Sequence, residues 1–378
     1  MGVEILLDTP ALLVRRRRHP SRAAVVTFHH YAEDPAAVRT GFCEGALDAL
    51  RTDAIHVISR ANDWFGNDDM PRAAAAIRAA LAGKRAITCG SSMGGYGALR
   101  FAGAVGAARA FALSPQYSLD PAVVPFETRW RPERAQFRVR PWPEAAPPPP
   151  AVIIFDPRDG PDARHVALWA AERAVLPVPI PHAGHPATTI LAELRLLVPA
   201  ILDVLEDRFD LAALLAAVRR GRRGSAEYFA TLADAQPPCR AAWKLRLMRR
   251  AVTLAPDAAH LVSRRAMLLY RAGRDAEADR AHRRALRLAP DDPLILVRRG
   301  IFLRRVGRYE EALAFAERAA RLRPDADAYA RHLRRARQLA GPPGPTRLVL
   351  RLLERATRAL DRRAFTRADL PWGRLATP

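Results

Sequence analysis

Ser92 stands at the centre of Gly90-Ser91-Ser92-Met93-Gly94-Gly95, between a short apolar run from Ala86 to Cys89 and a stretch of small residues with helical character. A serine in a sharp strand-to-helix turn has its hydroxyl pushed out of the turn. The helix behind it aims unpaired N–H groups at any negative charge formed nearby. A hydroxyl is a weak nucleophile at neutral pH and needs a base. Imidazole suits that task because its pKa lies near neutrality. Two histidines qualify in Pro181-His182-Ala183-Gly184-His185-Pro186, and three carboxylates stand in Asp156-Pro157-Arg158-Asp159-Gly160-Pro161-Asp162. A carboxylate behind the imidazole would orient it and stabilise the imidazolium. Asp156 suits holding its turn together, and Asp162 suits an N-cap ahead of a helix from Ala163.

The intervening sequence supplies elements that could position these groups. Residues 3–7 and 11–15 read as a strand pair, with Arg15 to Arg18 ending an exposed edge strand. Ala23 to Phe28, Ala54 to Ile58, Arg109 to Leu113, Ala151 to Phe155 and Val175 to Ile180 read as strands, the most apolar of them as buried parallel ones. Helices are expected over 36–50, from Pro71 to Gly83, after Ser92 and from Ala163. Ser92, the three acids and the two histidines all follow apolar strands, where open α/β sheets bind ligands. Residues 115–150 break the pattern with repeated prolines and carry Tyr117, Phe126, Trp130, Phe137 and Trp142, enough aromatic surface for a lid, or a stiff connector. Trp64, in the polar loop 59–70, is a candidate wall of the substrate pocket or an aromatic capping the core.

Gly90-Ser91-Ser92-Met93-Gly94-Gly95, with the order serine, acid, histidine along the chain, resembles the α/β-hydrolase family. The resemblance implies a mostly parallel sheet flanked by helices and a serine esterase or acyl hydrolase acting on a small acyl or ester substrate without a cofactor. It implies Ser92 as nucleophile, His185 as base in preference to His182, and Asp159 as acid with Asp162 as the alternative. The oxyanion donors would be the N–H of Met93 and that of Tyr31, with His30 as the alternative. His30 stands where such hydrolases often carry glycine, a departure in the oxyanion turn. His29 and His30 are not expected to hold a metal, because adjacent side chains diverge and no third ligand is at hand. The competing reading is a hydrolase-fold scaffold without activity, acting through the second half of the chain.

That second half repeats. Leu254-Ala255-Pro256, Leu288-Ala289-Pro290 and Leu322-Arg323-Pro324 recur at a fixed interval, as do Gly273 and Gly307, Ala278 and Ala312, and Ala285 and Ala319. The period and its small residues resemble the tetratricopeptide (TPR) family, an all-α solenoid of helix pairs. Units are expected at 259–292 and 293–326, with a weaker one at 225–258 that has Lys244 where alanine is expected, and a partial fourth. The resemblance implies a groove for a protein or peptide partner. The expected organisation is a hydrolase domain over 1–206 with its insertion at 115–150, a linker helix and hinge over 207–224, repeats over 225–340, and a basic capping helix and tail over 341–378. Residues 187–218 are expected to be mostly helical with a break at Pro199.

Composition narrows the partners. The net charge of +22 comes almost wholly from arginine, since lysine occurs only at Lys84 and Lys244. Such a skew, beside abundant alanine and proline, points to a GC-rich bacterial genome. The arginines are spread through the helices rather than gathered with aromatics, so no nucleic-acid module is expected. The amphipathic stretch 346–363 could lie on a membrane surface, but an end cap for the solenoid is the preferred reading. Cys43, Cys89 and Cys239 have neither disulfide-framework nor metal-ligand spacing. With no signal-peptide pattern or membrane-spanning run, a cytoplasmic location is expected.

Overall fold

A computed structural model describes residues 2–32, 34–138, 147–324, 327–342 and 344–366. Its contacts divide the chain into two compact units, Met1–Gly224 and Ser225–Pro378.

The first unit is built on eight strands: β1 (Val3–Asp8), β2 (Leu12–Arg17), β3 (Ala23–Phe28), β4 (Asp53–Ser59), β5 (Arg85–Ser91), β6 (Arg109–Leu113), β7 (Ala151–Phe155) and β8 (Val175–Pro179). They form one sheet in the order β1-β2-β4-β3-β5-β6-β7-β8, with β2 antiparallel to both its neighbours and the rest parallel. This is the α/β-hydrolase arrangement. Every residue of β4 and β7 is buried, as expected where helices cover both faces. The prolines of β8 lie on the edge, where a missing N–H breaks no ladder. The Arg15–Arg18 run does not end an edge strand. β2 is flanked by β1 and β4, and Arg16 is buried with Nε and Nη2 at 3.0 and 2.6 Å from the two oxygens of Asp53. A bidentate pair satisfies a guanidinium that could not otherwise sit in a sheet interior.

The helices of this unit are α1 (Glu44–Ala49), α2 (Met70–Leu81), α3 (Met93–Arg100), α4 (Arg131–Gln136), α5 (Gly160–Glu172), α6 (Thr188–Glu193), α7 (Leu197–Leu205) and α8 (Leu211–Gly221). The helix expected over 36–50 shrinks to α1. The break expected at Pro199 falls instead at 194–196, where Arg195 is left-handed at φ 58°. Pro199 lies in the first turn of α7, where no backbone N–H is needed.

In the second unit α9 (Ala226–Asp234) and α10 (Ala241–Leu254) form the divergent pair. Two regular pairs follow, α11 (Ala259–Arg271) with α12 (Asp275–Leu288), and α13 (Pro293–Arg305) with α14 (Tyr309–Leu322). Then come α15 (Asp327–Ala340) and α16 (Pro345–Thr366). The regular pairs turn at Gly273 (φ 76°) and Gly307 (φ 87°), a left-handed conformation that suits glycine. Ala278, Ala285, Ala312 and Ala319 are buried where paired helices approach, so the TPR-like period is a packing period. Lys244 fits the divergent unit because its ammonium donates to the Gln236 carbonyl at 2.9 Å. The expected end cap is not one: α16 runs beside the first helices of successive units, touching α11, α13 and α15. The last expected residues, 367–378, lie outside the described ones, as does Trp142.

Candidate active site

Strand order reverses around β3, whose neighbours β4 and β5 lie on opposite sides, so the turns after β3 and β5 meet at the switch point where open α/β sheets bind ligands. β5 ends at Ser91 and α3 starts at Met93, leaving Ser92 between them at φ 52° and ψ −117°. That conformation is costly for a residue with a side chain and persists only because its surroundings hold it. A Cβ on Gly90 would overlap the Gly94 backbone, and one on Gly94 would overlap the Phe28 carbonyl. The two glycines let α3 cross directly over the ends of β5 and β3.

The Ser92 hydroxyl lies 3.0 Å from Nε2 of His185, and Nδ1 of His185 lies 3.0 and 2.9 Å from the two oxygens of Asp162. Carboxylate contact fixes the proton on Nδ1 and leaves Nε2 to accept from Ser92. Asp162 is 1 % exposed. Burial opposes its ionisation, but the hydrogen bond and charge of His185 and the nearby Arg129 guanidinium hold its pKa below the usual aspartate range.

The carboxylate at His185 is therefore the alternative, Asp162, and not Asp159. α5 begins at Gly160, not at Ala163, which gives the N-cap to Asp159: its Oδ1 accepts from the Asp162 N–H at 3.1 Å. Pro161 in the first turn favours this earlier start. Burial and the charge of Asp162 raise the Asp159 pKa. Asp156 ties two turns together, accepting from the N–H of Arg158 and of Gly184, each at 2.9 Å. His182 sits in the same turn as His185 at φ 66°, but it is the His185 ring that reaches Ser92.

Met93 opens α3, so its N–H belongs to the first turn that has no intrahelical acceptor. Tyr31 follows β3, and its ring packs on Trp130 and Trp64 at centroid separations of 5.0 and 6.3 Å. His29 and His30 do not diverge; their rings stack at 4.4 Å, and Nδ1 of His29 meets the His30 carbonyl at 2.7 Å. Burial lowers the pKa of both, that of His29 to about 4. Among the described residues no cluster of His, Cys, Asp and Glu is arranged to hold a metal.

Trp64 is 1 % exposed and so backs the site instead of walling an open pocket. Its Nε1–H donates at 3.1 Å to Oε1 of Gln116. Indole can only donate, so this bond orients the amide and turns Nε2 of Gln116 to Ser92 Oγ, 3.2 Å away. Gln116 is fully buried beyond the end of β6. Nothing in its sequence context marks it. Trp130 lies beside the base, its ring centroid 6.0 Å from that of His185.

Trp130 belongs to the proline-rich insertion, which is pinned to α5 by charge. Arg129 donates to Glu127 at 2.7 Å and to Asp162 at 3.0 Å. Glu127 is fully buried and also meets Nε2 of His165 at 3.1 Å. Nδ1 of His165 accepts the Tyr117 N–H, so Nε2 carries the proton and donates to Glu127. Burial opposes ionisation of Glu127, but His165 and Arg129 hold its pKa well below the ordinary glutamate range. One guanidinium thus serves two buried carboxylates, one of them the partner of His185.

Sheet order, elbow and serine–histidine–aspartate contact define a protein with the α/β-hydrolase fold, joined to TPR-like helical repeats. No family model and no curated protein matches the chain. Among solved structures, it is similar to mouse alpha/beta hydrolase domain-containing protein 10 at 14% identity, covering 55% of this chain and 99% of that one with a TM-score of 0.38. It is similar to the capsule O-acetyltransferase of Neisseria meningitidis serogroup A at 11% identity, covering 46% of this chain and 85% of that one with a TM-score of 0.35. It is also similar to MamA from AMB-1 at 18% identity, covering 45% and 91% of the two chains with a TM-score of 0.28.

Proposed function

We propose that the first unit is a serine hydrolase of small carboxylic esters or related acyl compounds. The observation that carries this is the unbroken contact from Ser92 Oγ through both nitrogens of His185 to Asp162. Ser92 Oγ attacks the acyl carbonyl while its proton passes to His185 Nε2. Asp162 stabilises the imidazolium through Nδ1–H. The N–H groups of Met93 and of Tyr31, or His30 in its place, receive the developing oxyanion, a contribution of a few kcal/mol per donor in such sites. His185 then returns the proton to the departing alkoxide, leaving an acyl-serine. Water, deprotonated by the same imidazole, attacks the acyl carbonyl and releases acid and serine. The reaction leaves no step for a cofactor. Gln116 keeps Ser92 Oγ aligned, with Trp64 fixing the amide.

The TPR-like repeats are the part of the chain suited to a protein or peptide partner. Purified protein is expected to hydrolyse p-nitrophenyl acetate, and Ser92→Ala to abolish turnover while leaving the thermal melt unchanged. Turnover equal in the variant and the parent would refute the assignment. A folded parent without turnover would favour a binding scaffold.

A further inference from the structure

α16 is docked with its polarity reversed. On one side of the helix Glu354, 3 % exposed, lies 3.3, 2.9 and 3.1 Å from Arg304, Arg305 and Arg335. On the same side Arg362 bonds Asp275 at 2.5 Å, Arg358 bonds it too, Arg351 stacks over Tyr309 at 4.3 Å, and Asp361 meets the Tyr270 hydroxyl at 3.4 Å. The opposite side carries Leu348, Val349, Leu352, Leu353 and Leu360, exposed by 62, 54, 53, 52 and 63 %. Their spacing of one, three and four residues, extended by the further step to Leu360, makes them one stripe on a helix. An ordinary surface helix buries such a stripe and leaves its charges in water. Here the charges are satisfied inside and the leucines are turned out, an arrangement that marks an interaction surface.

Charge selects the occupant. Both acids of α16 are used within the unit, whereas Arg355 and Arg363 stay exposed at the edge and far end of the stripe. A second copy would bring the same arginines and another net charge of +22 to meet them. A flat anionic surface instead attracts the whole basic chain while the leucines enter its apolar layer. We infer that α16 is a docking face for an anionic lipid surface, with the leucine stripe entering the acyl boundary and arginine heads remaining among the phosphates. The contact is peripheral, since no helix among the described residues is long and apolar enough to cross a membrane.

The test is sedimentation of the full chain with vesicles of phosphatidylglycerol and phosphatidylcholine, beside vesicles of phosphatidylcholine alone. Binding to the anionic vesicles is expected, weakening with salt, and falling about tenfold for each of Leu352→Ser and Leu360→Ser made separately. Both residues are exposed, so each variant should keep the parent's circular dichroism and melting temperature. Absence of binding to anionic vesicles would overturn the inference. So would equal binding by parent and leucine variants, which would leave charge alone at work. A dimer in light scattering that the same substitutions dissociate would assign the stripe to a second copy. Hydrolysis of a soluble ester is read independently, so a failure here leaves the Ser92 assignment standing.

Discussion

Replacing Asp162 by asparagine separates the two candidate acids more sharply than removing either. Arg129 is an obligate donor and holds Asp162 Oδ1 at 3.0 Å. The asparagine oxygen therefore keeps the Oδ1 place beside Arg129, and the amide nitrogen takes the Oδ2 place, the nearer of the two to Nδ1 of His185 at 2.9 Å. A donor there selects the imidazole tautomer with its proton on Nε2, the nitrogen 3.0 Å from Ser92 Oγ. That nitrogen can no longer accept the serine proton. The expected loss in kcat is about ten-thousandfold, or about 5 kcal/mol of transition-state stabilisation. Asp159→Asn should differ entirely. Asparagine caps helices as well as aspartate, so the bond to the Asp162 N–H survives and stability shifts by no more than about 0.5 kcal/mol. Ester turnover by the two purified variants, with urea unfolding to check folding, decides the matter. Loss of activity in Asp159→Asn with activity retained in Asp162→Asn would refute the reasoning.

Two further outcomes follow from buried charge. Arg129→Met should strip the guanidinium from two buried carboxylates and cost about 2–4 kcal/mol in urea unfolding, discounted for the part of Arg129 that water reaches. Adding Glu127→Gln should recover part of that loss; a cost below about 1 kcal/mol for the single variant would contradict the shared-arginine account. His282 is fully buried against Phe302, and burial, with the nearby Arg299 and Arg298 opposed by Asp279, lowers its pKa from 6.5 to about 3. A histidine depressed in the folded state contributes its stability in full above pH 6.5 and loses it as pH falls from 6.5 toward 3. His282→Phe should therefore flatten the fall in melting temperature over that window, and parallel pH profiles for variant and parent would count against it.

The parts of the molecule legible in the sequence are those set by local spacing. Ser92 announces itself because only glycines at 90 and 94 let a helix cross so close to two strands. The repeat is visible because the same small residues must recur wherever paired helices meet. What sequence hides is set by partners far along the chain. The choice between Asp159 and Asp162 turns on whether α5 starts at Gly160 or Ala163, a shift of less than one turn. Gln116 and Arg129 carry no motif, because each takes its meaning from Trp64, Glu127 or Asp162 across the fold. Arg16 reads as edge charge until Asp53, on the neighbouring strand, is placed beside it. The amphipathic pattern of α16 is plain in sequence, but not which face turns inward, since ion pairs rather than leucines hold it.

Labelling with a fluorophosphonate, read by peptide mass spectrometry, addresses the serine–histidine–aspartate assignment at its reacting atom. One adduct is expected, on Ser92, slowed strongly by His185→Ala and by Asp162→Asn but not by Asp159→Asn. A folded protein whose Ser92 stays unmodified, or is modified at the same rate without His185, would contradict it.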